Sequence, residues 1–244
     1  MTDLRRRKLL VGTALVVVGE TVGRAGVISG RLPWTANTSD SPTPAEPGPW
    51  RFFTAEEGAM AEALADRIVP PDPQTPGGKL AGCAVFLDRQ LAGAYGRREG
   101  LYVSGPFEPG TKQQGPQSAM SPTQFYRQAF AALERYCRSL QDGKPWVDMP
   151  PERQDVILSG LEGGTVELEG IDGKMFFETL LKDVKQGFFA DPLYGGNRDM
   201  CAWKMIGFPG AHYDYREWVS RHNERYPHPP VSIAGRPGWT PKTG

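Results

Sequence analysis

The chain has 244 residues, enough for one proper hydrophobic core once its ends are set aside. Its 28 basic residues balance 28 acidic ones, and nothing in that balance points to a nucleic acid or an anionic membrane as partner. The 30 glycines and 23 prolines predict long ordered loops or extended arms, and Cys83, Cys137 and Cys201 lie too far apart, with no CxxC, for a zinc ribbon.

Residues 4–19 read LRRRKLLVGTALVVVG. Arg6 and Arg7 precede Lys8, then Leu9 and Leu10 open an apolar run, a pattern that resembles a twin-arginine export signal. The run ends near Val18, short of a comfortable bilayer span, and no clean A-x-A cleavage site follows it. The bland alternative is a basic helix end or a short membrane anchor. We take residues 1–30 as the signal region, which predicts export of the folded chain together with a cofactor or a partner that holds one. Residues 31–50, ending in PWTANTSDSPTPAEPGPW, carry too little apolar surface to offset their ordering entropy and are expected to be a flexible linker.

Helical signals begin next. Thr54-Ala55-Glu56-Glu57 is a capping box, and Met60, Leu64 and Ile68 recur on one face until Pro70-Pro71 stops the helix near Val69. A second helix is expected over 81–95, with Cys83, Phe86 or Leu87, Leu91 and Tyr95 inward. Residues 97–119 then read as a long loop, functional or lying over a partner. Ser121-Pro122-Thr123-Gln124 opens a third helix with a capping box and Pro at N1. Its stripe is Phe125 or Tyr126, Ala129, Phe130, Leu133, Cys137 and Leu140. Pro150 and Pro151 open a short helix to 161, with Val156, Ile157 and Leu161 inward. Gly173 to Phe189 is a further helix with Met175, Phe176, Leu180 and Val184 inward. Residues 191–214 are expected to be an irregular loop, with a short helix near Asp214–Val219 after it. The tail from Pro227 lacks a core pattern. The fold class is therefore mostly α: an irregular helical domain over 51–226 with long loops, a flexible N-terminal signal and linker, and a Pro-rich C-terminal arm over 227–244.

Signals of chemistry are weak. His212, His222 and His228 form no HxH or HExxH. His212 with Asp214 could hold a metal or shuttle a proton, but such pairs more often make local hydrogen bonds. No GxSxG, no GxGxxG after a strand and no CxxCH is present. Glu162, Glu167, Glu169 and Asp172 match no calcium loop and read as a solvated helix connection. No catalytic residue and no metal site is expected. An exported chain with no recognisable active site of its own reads as a subunit.

Two stretches carry a family resemblance over roughly residues 50–215. FFTAEEGAMAEALADRIVPPD (52–72) resembles the opening helix of the gluconate 2-dehydrogenase subunit 3 family, the small (gamma) subunit of membrane-bound FAD-dependent gluconate or sugar dehydrogenases. FFETLLKDVKQGFFADPLYGGNRDMCAWKMIGFPG (176–210) resembles its hallmark, in which Asp191-Pro192 leads into Tyr194-Gly195-Gly196-Asn197 and Trp203-Lys204 into Gly207-Phe208-Pro209-Gly210. The resemblance implies a large FAD-containing partner subunit that oxidises a sugar or sugar acid. It also implies a multihaem cytochrome c subunit as a possible third component, with haem c passing electrons to quinone. This chain binds no cofactor itself on that reading. It escorts the flavoprotein through the twin-arginine translocase and stabilises it in the periplasm, held to the inner membrane through the complex.

The aromatic, Gly-rich segment then acquires a purpose. Gly195, Gly196 and Asn197 allow a tight turn. Tyr194, Trp203 and Phe208, beside Pro209, offer rigid amphipathic area, and Arg198 and Lys204 offer donors. We expect these residues to dock on the flavoprotein; the alternative is that the aromatics fill this chain's own core. Cys83 and Cys137 sit on apolar faces and are expected to be buried thiols, while Cys201 could cross-link to the partner in an oxidising compartment. Two other classes stay open: a free-standing exported carbohydrate-binding protein with an aromatic platform, and an enzyme using His212, Asp214 and a metal.

Overall fold

The computed structural model describes residues 48–99, 104–108, 110–111, 118–212 and 215–234. Among them are eight α-helices and no strands. They fall in two units. The smaller is described at residues 215–222, a 3-10 turn Arg216–Trp218 with the Arg221 guanidinium 4.5 Å over the Trp218 ring. The larger unit holds the eight helices.

Helix α1 (Ala55–Ile68) starts at the predicted capping box. Thr54 accepts from the Glu57 amide, and Glu57 accepts from the Thr54 amide. Its buried side is Gly58, Met60, Ala61, Leu64 and Ala65. Trp50 and Phe52 pack against the core, so the end of the expected linker belongs to the folded body. What holds it there is Asp88, fully buried, whose carboxylate accepts the amides of Arg51, Phe52 and Phe53 at 2.9 Å each and is paired with Arg89.

The helix expected over 81–95 is two pieces, α3 (Cys83–Ala92) and α4 (Ala94–Arg97), preceded by a short α2 (Gly77–Leu80). Gly82, with φ 83°, breaks the first junction, and a Cβ there would lie 2.5 Å from the Gly195 carbonyl oxygen. Gly93, in extended geometry, breaks the second. Cys83, Phe86, Leu87 and Leu91 face inward as expected, but the second break turns Tyr95 outward to 41% exposure. The ends of the predicted long loop are tied by Arg98, which donates to the Ser118 carbonyl at 2.6 Å.

Helix α5 (Pro122–Ser139) begins at Ser121 with the predicted capping box, and α7 (Gly173–Phe189) has its predicted bounds, capped by Asp172. Between them, α6 (Pro151–Gly163) turns Gln154, Ile157, Leu158 and Leu161 inward. Val156 is the correction there: it is 64% exposed, because the inward face passes through its neighbour Ile157. Phe130 is the aromatic centre, stacked on Phe53 at 5.6 Å and edge-on to Tyr126 and Phe176. Of the acidic residues read as a helix connection, Glu169 pairs with Arg135 and Asp172 is a cap.

The start of the expected C-terminal arm is packed. Gly210 and Val231 form a parallel bridge, the Ala211 amide donates to the Val231 carbonyl at 2.7 Å, and Val231 and Ser232 are buried. Residues 235–244 lie outside the described residues.

Candidate docking surface

Residues 191–210 do not form the irregular loop expected of them. They fold into two 3-10 turns, Pro192–Tyr194 and Arg198–Met200, and a short helix α8 (Cys201–Ile206). The local cause begins at Asp191. Its carboxylate accepts the Leu193 amide at 2.9 Å, setting the first turn, and also the Ser232 hydroxyl at 2.6 Å and the Ile233 amide at 2.8 Å. One buried side chain thus joins α7, the motif and the C-terminal segment.

Glycine chemistry then seats the turn. Gly195 has φ 97°, and a Cβ on Gly196 would lie 2.0 Å from the Gly187 carbonyl oxygen of α7, so only glycine permits this approach. Asn197 is fully buried in the left-handed region. Its Nδ2 donates to the Ala190 carbonyl at 2.9 Å, and its Oδ1 accepts the Ala202 amide at 2.9 Å. Asp199 and Met200 are also left-handed, at φ 54° each. Such residues cost on the order of 1–3 kcal/mol apiece and persist only where the surroundings over-determine them.

Trp203 is internal. It is 6% exposed, its indole donates to the Phe189 carbonyl at 2.9 Å, and the Phe208 ring meets it edge-on at 5.1 Å. Gly207 ends α8 in the left-handed region, and the Phe208 amide closes back on the Trp203 carbonyl at 2.9 Å.

The predicted site residues therefore divide. Gly195, Gly196, Asn197 and Trp203 are buried and build the segment. Arg198, Cys201 and Pro209 are half-buried: the Arg198 amide donates to the Ala81 carbonyl, and the Pro209 carbonyl accepts the Val231 amide. Tyr194, Lys204 and Phe208 face solvent, the two aromatics at 45% exposure each. Sequence reasoning missed Met205 and Ile206, which are 46% and 58% exposed. Ile206 follows Ala202 by four residues, so helical spacing assigns it inward, yet it is uncovered. Arg6, Arg7, Leu9 and Leu10 lie outside the described residues.

Other polar groupings offer less. The Tyr126 hydroxyl donates to the Asp183 carboxylate at 2.7 Å inside the core, and burial pushes the Asp183 carboxyl above its ordinary value. Its place between α5 and α7 makes it a packing tie. His212 meets Tyr226 at 5.2 Å and His228 at 6.5 Å between ring centroids, and burial lowers its pKa. Asp214, the expected companion of His212, lies outside the described residues. Among the described residues no three His, Cys, Asp or Glu side chains gather where they could hold a metal, and no helix is long and apolar enough to cross a membrane. All three cysteines are free, Cys83 and Cys137 buried as expected.

A family model described as gluconate 2-dehydrogenase subunit 3 matches residues 55–210, from the first residue of α1 to the glycine that bridges Val231. The chain belongs to this family. No curated protein and no solved structure matches it.

Proposed function

We propose that this member of the gluconate 2-dehydrogenase subunit 3 family is the non-catalytic small subunit of an exported FAD-dependent gluconate or sugar dehydrogenase. Family membership makes it a component of a multi-subunit assembly. The flavin belongs to the large partner, and a multihaem cytochrome c completes the electron path. The small subunit escorts the flavoprotein through the twin-arginine route and stabilises it at the periplasmic side of the inner membrane. The Arg6-Arg7 pattern supports the route.

The observation that carries the reading is the family match ending on a rigid, self-anchored segment that displays apolar side chains. Tyr194, Met205, Ile206 and Phe208 are uncovered on a scaffold locked by Asp191, Asn197 and Trp203. A preformed apolar surface binds at a lower ordering cost, as a permanent subunit contact favours. The same geometry weighs against a carbohydrate platform, because the largest ring of the segment, Trp203, is turned inward.

The test is affinity capture of the tagged full-length chain from its source cells, with flavin absorbance and mass spectrometry on the eluate. A stoichiometric FAD protein is the expected companion. A lone, colourless chain would overturn the proposal.

A further inference from the structure

The end of the docking segment is held by residues 226–234. Gly210 lies beside the Trp203 ring: a Cβ there would come within 2.9 Å of the indole and 2.2 Å of the Val231 carbonyl oxygen. At this point the two stretches are zipped together. The Val231 amide donates to the Pro209 carbonyl at 3.2 Å and the Ala211 amide to the Val231 carbonyl at 2.7 Å, while the Ser232 hydroxyl and the Ile233 amide donate to Asp191. Three rings meet next to the zipper. His212, just past Gly210, lies 5.2 Å from Tyr226 and 6.5 Å from His228, and Tyr226 lies 5.3 Å from His228, all between ring centroids. These residues all belong to the larger unit. The His212 Nε2 is shut off from solvent, whereas His228 is exposed.

We propose that His212, Tyr226 and His228 form a pH-sensitive latch, which holds residues 226–234 on the docking segment at neutral pH and releases them as the two imidazoles take up protons. Imidazole is the side chain whose unperturbed charge change falls between about pH 5 and 8, and a tyrosine hydroxyl stays protonated throughout that range. Neutral imidazoles pack against a tyrosine ring as amphipathic planes. Two imidazoliums at the spacing of His212 and His228 repel each other, and in partly buried surroundings salt and water screen that repulsion less than they do at an open surface. The two histidines sit on opposite sides of the zipper, one on each stretch, so their repulsion acts to part the stretches.

The direction of the response follows from the surroundings of His212. Burial is the largest influence on it and lowers its pKa from 6.5; the charge of His228 pushes the same way, and the carbonyls of Pro229 and Pro209 oppose without prevailing. The closed latch therefore binds a proton less readily than the open chain. Its hold is full above 6.5 and is lost as pH falls from there through the lower native value. Asp191 faces the far end of the same stretch through Ser232 and Ile233, and Glu224 and Arg225, beside Tyr226 in sequence, are exposed. Release would take two of the three donors from Asp191 and uncover Val231, which is 3% exposed when closed. The end of the docking segment would then lose its outer support. Opening needs no partner; only its effect on assembly rests on the docking reading proposed above.

The test is amide hydrogen exchange on the purified full chain, with no partner present, from about pH 8 down to about pH 5, each rate being divided by the intrinsic rate at that pH. The amides of Ala211, Val231 and Ile233 report the latch, and those of α5 report global opening. Protection of the first three should fall about fivefold or more across the range while α5 keeps its own. His228→Gln, at an exposed position that leaves the fold intact, should lessen the fall, and His212→Gln combined with His228→Gln should abolish it. Flat protection in the wild type, a fall shared with α5, or a fall undiminished in either variant would overturn the proposal. Flat exchange leaves the subunit reading standing, and a failed capture of the flavoprotein leaves the latch standing.

Discussion

Trp203→Ala separates the two roles that the aromatic segment could play. If Trp203 were a docking anchor, its removal would leave the isolated chain intact and weaken only assembly. The structure places 94% of its surface out of solvent against α7 and Phe208. Truncating a buried aromatic of this size costs about 3–5 kcal/mol through lost transfer and the cavity left behind. Within that figure, the edge-on contact with Phe208 accounts for about 0.5–1.5 kcal/mol. The Phe189 carbonyl, which now accepts the indole N–H, also loses its partner, at a cost of about 1–3 kcal/mol if it stays buried. Against a total stability of about 5–15 kcal/mol, this is a large fraction. The assay is equilibrium urea unfolding of the purified chain with no partner present. A midpoint shift equivalent to less than about 1 kcal/mol would refute the internal role and return Trp203 to the surface.

Ile206→Asp is the complementary change: the side chain is 58% exposed, so stability of the isolated chain should move by less than about 0.5 kcal/mol. Recovery of the captured flavoprotein should nonetheless fall at least about tenfold, as for a central contact residue, and undiminished capture would remove α8 from the interface. Asp88→Ala strips the acceptor from three amides and leaves Arg89 beside a vacated carboxylate site. Unfolding measurements should show a loss of about 3–5 kcal/mol, and a near-neutral result would deny the clamp. Burial holds the Asp183 carboxyl above its ordinary 3.8, so the native state binds its proton more tightly than the unfolded chain does. That contribution to stability is greatest below 3.8 and falls as pH rises from there to the native value. Asp183→Asn should lack this fall in urea midpoints followed upward from about pH 3, and parallel profiles for the two proteins would contradict the assignment.

The helices that were legible carry their own start signals. Thr54 and Ser121 each head a capping box, and α7 follows an Asp cap and keeps an apolar stripe through Phe176, Leu180 and Val184. Those are local patterns, and local patterns survive in a single sequence. What escaped depends on contacts between distant segments. The break at Gly82 exists because the backbone of Gly195 approaches it, and the order of residues 229–234 exists because Asp191 and Gly210 receive them. Asp88 reads as one more charge on an amphipathic helix until three amides from residues 51–53 are seen around it. Composition marked the Gly-rich aromatic segment, but it could not say which aromatic turns inward.

The segment divides its side chains between the chain's own core and its surface. The conserving of space is internal: Gly196 presses on α7, Asn197 is buried, and Trp203 closes over Phe189. Two strained residues, Asp199 and Met200, are held left-handed between them. On the proposed reading, the turn held under such strain and Met205 and Ile206, left bare beyond it, serve a partner. Rigid backbone beneath exposed apolar side chains is the arrangement that lowers the entropy lost on association. On that reading the inward residues serve the outward ones. Damage to the first set should then appear in the chain alone, and damage to the second only when the proposed flavoprotein partner is present.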